Sequence, residues 1–151
     1  MDAKKQQPKV DLIQAAIDLA SKENGDVLFI SEKQLLTFNY IKGVRLDPDY
    51  EKVMLMEMVM SNNQPYLAQF LEKLESHTYA VIVTDSVQTH KFDDADAFGI
   101  ENNLWVDRVT IPLLENYTQV FALNEGEVNV LVPNGQEQLL RQLKRLQRQF
   151  Y

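Results

Sequence analysis

The chain has 151 residues, 45% of them hydrophobic, which is enough to form one domain that buries about two-thirds of its surface without disulfides. It contains no cysteine, which excludes thiol chemistry and cysteine-ligated metal. The net charge of −7 gives an acidic body with basic ends, at residues 1–9 and 135–151, and argues against nucleic acid as the main partner. No apolar run approaches the roughly 20 residues that cross a bilayer and residues 1–9 lack the apolar segment of a secretory signal, so we expect the chain to be soluble as it stands.

The first half of the chain predicts two helix-then-strand units. An apolar stripe over residues 10–20 predicts a first helix, and residues 27–30 are a short apolar run typical of a buried strand. A second striped segment, which begins at residues 61–65 and ends near His77, leads into Tyr79–Asp85, which has the same character. Because strands that follow helices and are apolar on both faces are typical of parallel sheets, this order predicts an α/β fold.

The segment between the two units contains three further signals. Residues 31–34 (SEKQ) match a capping box, which predicts a short helix through Phe38, and residues 41–46 predict a short edge strand. Residues 53–60 (VMLMEMVM) are apolar almost all round, and the helix-start signal at residues 47–49 favours a buried helix over a strand.

The second half begins with a polar stretch at residues 85–100, which predicts a long irregular loop. A helix follows from Glu101, and Pro112 must kink it or end it at Ile111. Residues 118–123 and 127–132, joined through residues 124–126, predict a β-hairpin that completes the sheet with an antiparallel strand.

The last segment, residues 136–150, predicts a separate amphipathic helix with basic residues on one face. It packs on the domain, pairs with another copy of the chain, or lies on an acidic surface. The predicted architecture is therefore a single three-layer, Rossmann-like α/β domain at residues 9–134, with a mostly parallel sheet. A flexible basic N-terminus (residues 1–8) precedes it, and the terminal helix region (residues 135–151) follows it.

A candidate site follows from this topology, because ligands in open α/β sheets bind beyond the carboxyl ends of the strands. Ser31 and Glu32 follow the first strand, Asp85 and Ser86 follow the second, and the long loop that carries His90 overhangs the same edge. Glu101, Asn102 and Trp105 resemble a sugar platform, in which an indole stacks on the sugar and amides bond its hydroxyls. The alternative interpretation is that these residues, like Ser31, only cap or bury a helix.

Several chemistries fail on residue spacing. A calcium loop that starts at Asp94 lacks ligands at Phe98 and Trp105, and a receiver-type phosphoacceptor at Asp85 lacks its acidic pair and lysine. No glycine cluster follows either strand, which excludes a phosphate loop or a dinucleotide fingerprint. A hydrolytic triad of Ser86, His90 and Asp93 has nothing to form an oxyanion hole. We therefore expect no metal and no cofactor.

Four phrases carry a family resemblance: residues 27–38 (VLFISEKQLLTF), 49–58 (DYEKVMLMEM), 97–106 (AFGIENNLWV) and 112–117 (PLLENY). Over residues 9–134 the chain resembles the soluble carboxyl-terminal domain of bacterial multi-pass membrane proteins that are similar to GT-C type, polyprenyl-phosphate-dependent glycosyltransferases. The resemblance implies a domain on the extracytoplasmic face of a bacterial membrane. Its partner would be the membrane-embedded part of the parent protein, and it would help to shape a site for an acceptor, a sugar or a lipid-linked sugar. No catalytic residue is carried over.

Three functions stay open at this point. The first is a non-catalytic accessory domain of a membrane glycosyltransferase-like protein. The second is a stand-alone domain that binds a small ligand or a nucleotide at Ser31, Glu32, Asp85 and Ser86. The third is a protein-interaction module that forms homo-oligomers through residues 136–150.

Overall fold

The computed structural model describes residues 3–21, 25–30, 41, 47–85, 87–123 and 128–150, with only the backbone described for residues 3–9 and 48. The predicted helix at residues 31–38 and the connection at 124–126 lie outside these residues, as does the predicted edge strand at 41–46 apart from Ile41. The described elements are α1 (Ala3–Ala20), β1 (Asp26–Ile30), α2 (Lys52–Met60), α3 (Gln64–Glu75), β2 (Tyr79–Thr84), α4 (Gly99–Trp105), α5 (Ile111–Asn116), β3 (Tyr117–Leu123), β4 (Val128–Pro133) and α6 (Glu137–Phe150). Helix α1 thus begins at Ala3, within the segment expected to be a flexible tail.

The four described strands form one sheet in the order β1-β2-β4-β3. As predicted, β1 and β2 are parallel neighbours, and β3 and β4 pair in the antiparallel direction. The predicted Rossmann-like, mostly parallel sheet is wrong, because β4 also pairs with β2 in the antiparallel direction. Almost every side chain of β4 is buried, which fits its central position between β2 and β3. Because β4 is antiparallel to both neighbours, two of the three strand pairs in the sheet are antiparallel.

Helices cover both faces of the sheet and give three layers. Alternate strand residues point to opposite faces, so Val81 and Val83 pack on one core and Ile82 on the other. Helices α1 and α6 lie side by side over the first core, and α2 to α5 lie over the second. In α6, Leu143 is fully buried on the first core, with other apolar residues partly buried around it: Leu139, Leu140, Leu146 and Phe150. The terminal helix therefore packs on the domain.

Helix α2 differs from its prediction as a buried helix. Only Leu55 and Val59, one turn apart, are buried, whereas Val53, Met54 and Met56 are exposed. The reason is its position in an outer layer, where a helix meets the rest of the domain along one face only. Apolar composition identified the helix but overestimated its burial.

The helix that contains Pro112 does not end at Ile111, which excludes one of the two predicted outcomes. It runs from α4 through a π-helical turn (Val106–Thr110) into α5. Proline has no N–H to donate to the carbonyl one turn earlier, and the wider turn before it lets the Ile111 N–H bond the Val106 carbonyl instead. The helix then continues to Asn116, whose side-chain amide donates to the Pro112 carbonyl at 2.7 Å.

Strand β3 contains a bulge at Val120. Its pairing with β4 jumps from Gln119 opposite Leu131 to Phe121 opposite Val130, so Val120 is an extra residue. One extra residue reverses the faces of all later side chains. Tyr117 therefore packs in the core under α2 to α5, whereas Phe121 packs in the core under α1 and α6.

Candidate functional site

The carboxyl ends of β1 and β2 meet at one edge of the sheet, as the candidate site requires. The Asp85 N–H donates to the Ile30 carbonyl at 3.1 Å, and the buried Thr84 hydroxyl donates to the same carbonyl at 3.2 Å. Asp85 thus lies directly beside the end of β1. Ser31, Glu32 and Ser86, the other residues nominated at this edge, lie outside the described residues.

Asp85 is held by residues that were not predicted from the sequence. Its carboxylate forms an ion pair with Lys52, the first residue of α2, and about a third of each side chain is exposed. Its backbone carbonyl accepts a hydrogen bond at 2.9 Å from the side-chain amide of buried Asn129, whose oxygen in turn accepts from Gln119. Asn129 was detectable as the one polar residue in an apolar strand. The arrangement presents a fixed carboxylate and ammonium, which can bond the hydroxyls of a small polar ligand.

The loop after β2 is irregular, as predicted, and two asparagines of α4 fix it. The side chain of Asn102 accepts from Gln88 at 2.8 Å and donates to the His90 carbonyl at 2.9 Å. The side chain of Asn103 bonds both backbone groups of Phe92, at 2.9 Å to the nitrogen and 2.7 Å to the oxygen. Asn102 therefore holds the loop and does not only cap a helix. Asn103 has the same role but was not predicted from the sequence.

The remaining nominated residues lie on or near this loop. His90 and Glu101 are exposed, and the His90 ring meets the Phe92 ring edge-on at 5.0 Å between centroids. Trp105 is half-buried against the core under α2 to α5, so part of its indole supports packing. Among the described residues, no hydrogen bond, ion pair or ring contact joins these three side chains to Asp85. A role for Trp105 in stacking on a sugar stays a prediction.

The end of the loop closes in a tight turn before α4. The Gly99 N–H donates to the Asp96 carbonyl, and a Cβ on Gly99 would lie 2.1 Å from the backbone oxygen of Asp93. Phe98, which precedes the helix, adopts a left-handed backbone (φ +60°) and leaves 79% of its surface exposed. The turn therefore depends on the absence of a side chain at residue 99.

We expect Gly99→Ala to release this turn while leaving the sheet folded. The clash is with backbone rather than a flexible side chain, and overpacking of this kind costs about 1–3 kcal/mol. Amide hydrogen exchange should accelerate at residues 87–98 and stay unchanged in β2 and β4. As a control, Gly135→Ala meets no atom within 4 Å, although its positive φ adds strain, and it should leave exchange in the loop unchanged. Equal exchange in both variants would contradict the role of Gly99.

A second polar cluster lies at the opposite end of β2. The largely buried carboxylate of Asp47 accepts hydrogen bonds from the Lys73 ammonium at 3.0 Å and the Tyr79 hydroxyl at 2.8 Å. The Lys73 ammonium also lies 5.1 Å from the centre of the Tyr50 ring. Burial by itself would raise the pKa of Asp47, but the bonds from Lys73, Tyr79 and the Asp49 N–H together lower that pKa below its ordinary value. The sequence pattern indicates here only a helix start at residues 47–49.

The first residue of β2 is held from the hairpin as well. The buried hydroxyl of Tyr117 donates to the Tyr79 carbonyl at 2.8 Å and accepts from the Tyr79 N–H at 3.2 Å. Burial raises the pKa of both phenols, so each hydroxyl keeps its proton at a pH where an exposed tyrosine loses it. These contacts fix the amino end of β2 and leave its carboxyl end, at Asp85, as the more open one.

Across the part of the chain that the structure describes, no three His, Cys, Asp or Glu side chains are grouped as metal ligands would be. Within that same part, every helix is too short or too polar to cross a membrane. Comparison of the chain with models of protein families, with curated proteins and with solved structures finds no match.

Proposed function

We propose that the chain is a non-catalytic accessory domain of a membrane glycosyltransferase-like protein, and that the edge at Asp85 helps to shape a site for a sugar or an acceptor. The partner in this proposal is the membrane-embedded part of the parent protein, on the extracytoplasmic face of a bacterial membrane. The resemblance in the four quoted phrases supports the class of parent protein. The observation that carries the proposed site is the position of Asp85 at the shared carboxyl edge of β1 and β2, in an ion pair with Lys52.

The chemistry of that edge favours a neutral, hydroxyl-rich ligand. A carboxylate accepts hydrogen bonds from sugar hydroxyls and an ammonium donates to them, so the paired Asp85 and Lys52 can exchange their mutual contact for contacts with a ligand. The loop beside them is already ordered by Asn102 and Asn103, which lowers the entropy lost when a ligand binds. The ion pair leaves little net charge to attract a phosphate, so a nucleotide is the weaker candidate.

We expect a sugar to raise the melting temperature of the chain through Asp85. At a ligand concentration 100 times its Kd, binding stabilises the folded state by about 2.7 kcal/mol, which is roughly 5–10 °C for a domain of this size. Differential scanning fluorimetry with a panel of neutral monosaccharides and amino sugars measures this increment. Asp85→Ala should abolish the increment, whatever its own effect on stability.

Asp107→Ala is the matched control, because Asp107 forms a similar ion pair with Lys91 at 2.6 Å that does not involve Asp85 or Lys52. It should leave the sugar-dependent increment unchanged. Loss of the increment in both variants, or no increment with any sugar, would refute the site. A rise with ADP instead, again lost in Asp85→Ala, would favour the stand-alone nucleotide-binding domain. A reading frame for the intact protein without upstream membrane helices would rule out the accessory role.

A further inference from the structure

The outward face of α6 carries an unbroken stripe of positive charge. Arg141, Lys144, Arg145 and Arg148 are all exposed, and their spacing of three, four and seven residues places them on one side of the helix. Leu143 lies on the opposite side, fully buried against the sheet. Because packing fixes the helix along that apolar side, the four cations cannot turn away from solvent.

Nothing in the described part of the chain neutralises these cations. None of the four forms a salt bridge with a described residue, although the chain as a whole carries a net charge of −7. Like charges three and four residues apart destabilise a helix, and only Glu137 in the first turn is acidic. These like charges repel one another along α6, and an anionic partner relieves that repulsion.

A surface depression adjoins the stripe where α6 meets the edge strand β3. It has a volume of about 460 Å³ and is lined by Lys144, Gln147 and Arg148 from α6 and by Val120 at the bulge of β3. Two cations and an amide donor above an apolar side chain match the needs of a phosphate ester, whose oxygens accept hydrogen bonds and whose carbon chain is apolar.

We propose that α6 is a membrane-docking surface that lies on an anionic phospholipid bilayer, with a lipid phosphate in the depression beside Lys144 and Arg148. The charge distribution orients the domain, because the acidic body is repelled from an anionic surface while the stripe is attracted to it. A flat bilayer also reaches all four cations of a straight helix at once. This surface is built from residues other than those at the Asp85 edge, and it goes beyond the proposed sugar site.

Binding to vesicles tests this surface directly. We expect the chain to sediment with vesicles of phosphatidylcholine containing 30% phosphatidylglycerol, and not with phosphatidylcholine alone. Each cation near an anionic bilayer contributes about five-fold to the partition coefficient, so Lys144→Gln with Arg148→Gln should lower binding about 25-fold. Raising the salt from 50 to 200 mM should also weaken binding strongly, because added ions screen exposed charges.

Lys91→Gln with Arg108→Gln is the matched control, since it removes two exposed cations elsewhere and should change binding less than two-fold. Circular dichroism establishes that both double variants keep the fold. Equal losses in the two variants would refute the stripe, because net charge alone would then explain binding. If the chain binds neither kind of vesicle, the membrane surface is refuted as well. Binding of inorganic phosphate at Lys144 and Arg148 would then indicate a soluble phosphate ligand. Salt-sensitive self-association would instead indicate a second copy of the chain as the partner.

Discussion

Deleting residues 136–151 should unfold the domain, or leave it as a compact state without fixed packing. Helix α6 covers one face of the sheet, where Leu143 is fully buried and four more apolar side chains are partly buried. A fully buried leucine contributes about 1.5–3 kcal/mol, so the loss of the whole helix amounts to on the order of 5 kcal/mol or more, against a typical total of about 5–15. Loss of amide dispersion in NMR spectra and binding of a hydrophobic dye measure the change.

Two variants separate the packing of α6 from its charge. Leu143→Ala should lower the free energy of unfolding by about 2–5 kcal/mol, because it leaves a cavity at the centre of the contact. Replacing Arg141, Lys144, Arg145 and Arg148 together by glutamine removes the stripe but keeps the apolar side, and should leave stability nearly unchanged. If the deletion left a stable, folded monomer, α6 would be a dispensable appendage rather than part of the core.

Asp47→Ala should destabilise the fold by about 2–3 kcal/mol. It leaves the Tyr79 hydroxyl buried without its acceptor and removes the partner of Lys73, and an unsatisfied buried polar group costs about 1–3 kcal/mol. Asp47→Asn should cost less, since an amide oxygen still accepts from Tyr79. Urea unfolding monitored by circular dichroism measures both variants.

The same residue predicts a pH dependence with a definite sign. The pKa of Asp47 is lower in the folded chain than in the unfolded one, so its stabilisation is complete above the unfolded value of about 3.9 and is lost as the pH falls through the folded value. Asp47→Asn should therefore lose less stability than the wild type between pH 5 and pH 2. Asp49→Asn, at an exposed neighbour, should retain the wild-type slope. If the free energy of unfolding of Asp47→Asn fell with decreasing pH as steeply as that of the wild type, the acid sensitivity would come from other carboxylates.

Local patterns predicted the elements of this fold better than their arrangement. The apolar runs of β1 and β2 and the helix before each were enough to predict their parallel pairing. Residues 128–133 are apolar apart from Asn129, which favours a central strand, but the pattern does not show that this strand pairs with β2, so the insertion of β4 beside β2 was not predicted. The bulge at Val120 depends on long-range packing, and the π-helical turn before Pro112 depends on one missing N–H. Neither feature leaves a periodic pattern in the sequence from which it could be predicted.

The candidate site was predicted in part for the same reason. Topology located Asp85 at the shared edge of β1 and β2, because the end of a strand can be read from its apolar run. Its partners Lys52 and Asn129 are 33 and 44 residues away along the chain, and only the folded structure brings them to it. Asn102 was nominated for binding hydroxyls, yet its side chain holds the loop at Gln88 and His90.

The extra residue at Val120 also bears on how the molecule behaves at high concentration. An edge strand offers unpaired backbone N–H and C=O groups that another chain can extend into a shared sheet. A bulge bends the strand and increases its local twist, so the side of β3 that no described strand pairs with presents no long straight row of such groups. This margin of the sheet is thereby a poor template for intermolecular β-pairing, which protects the domain from amyloid-like growth at that point.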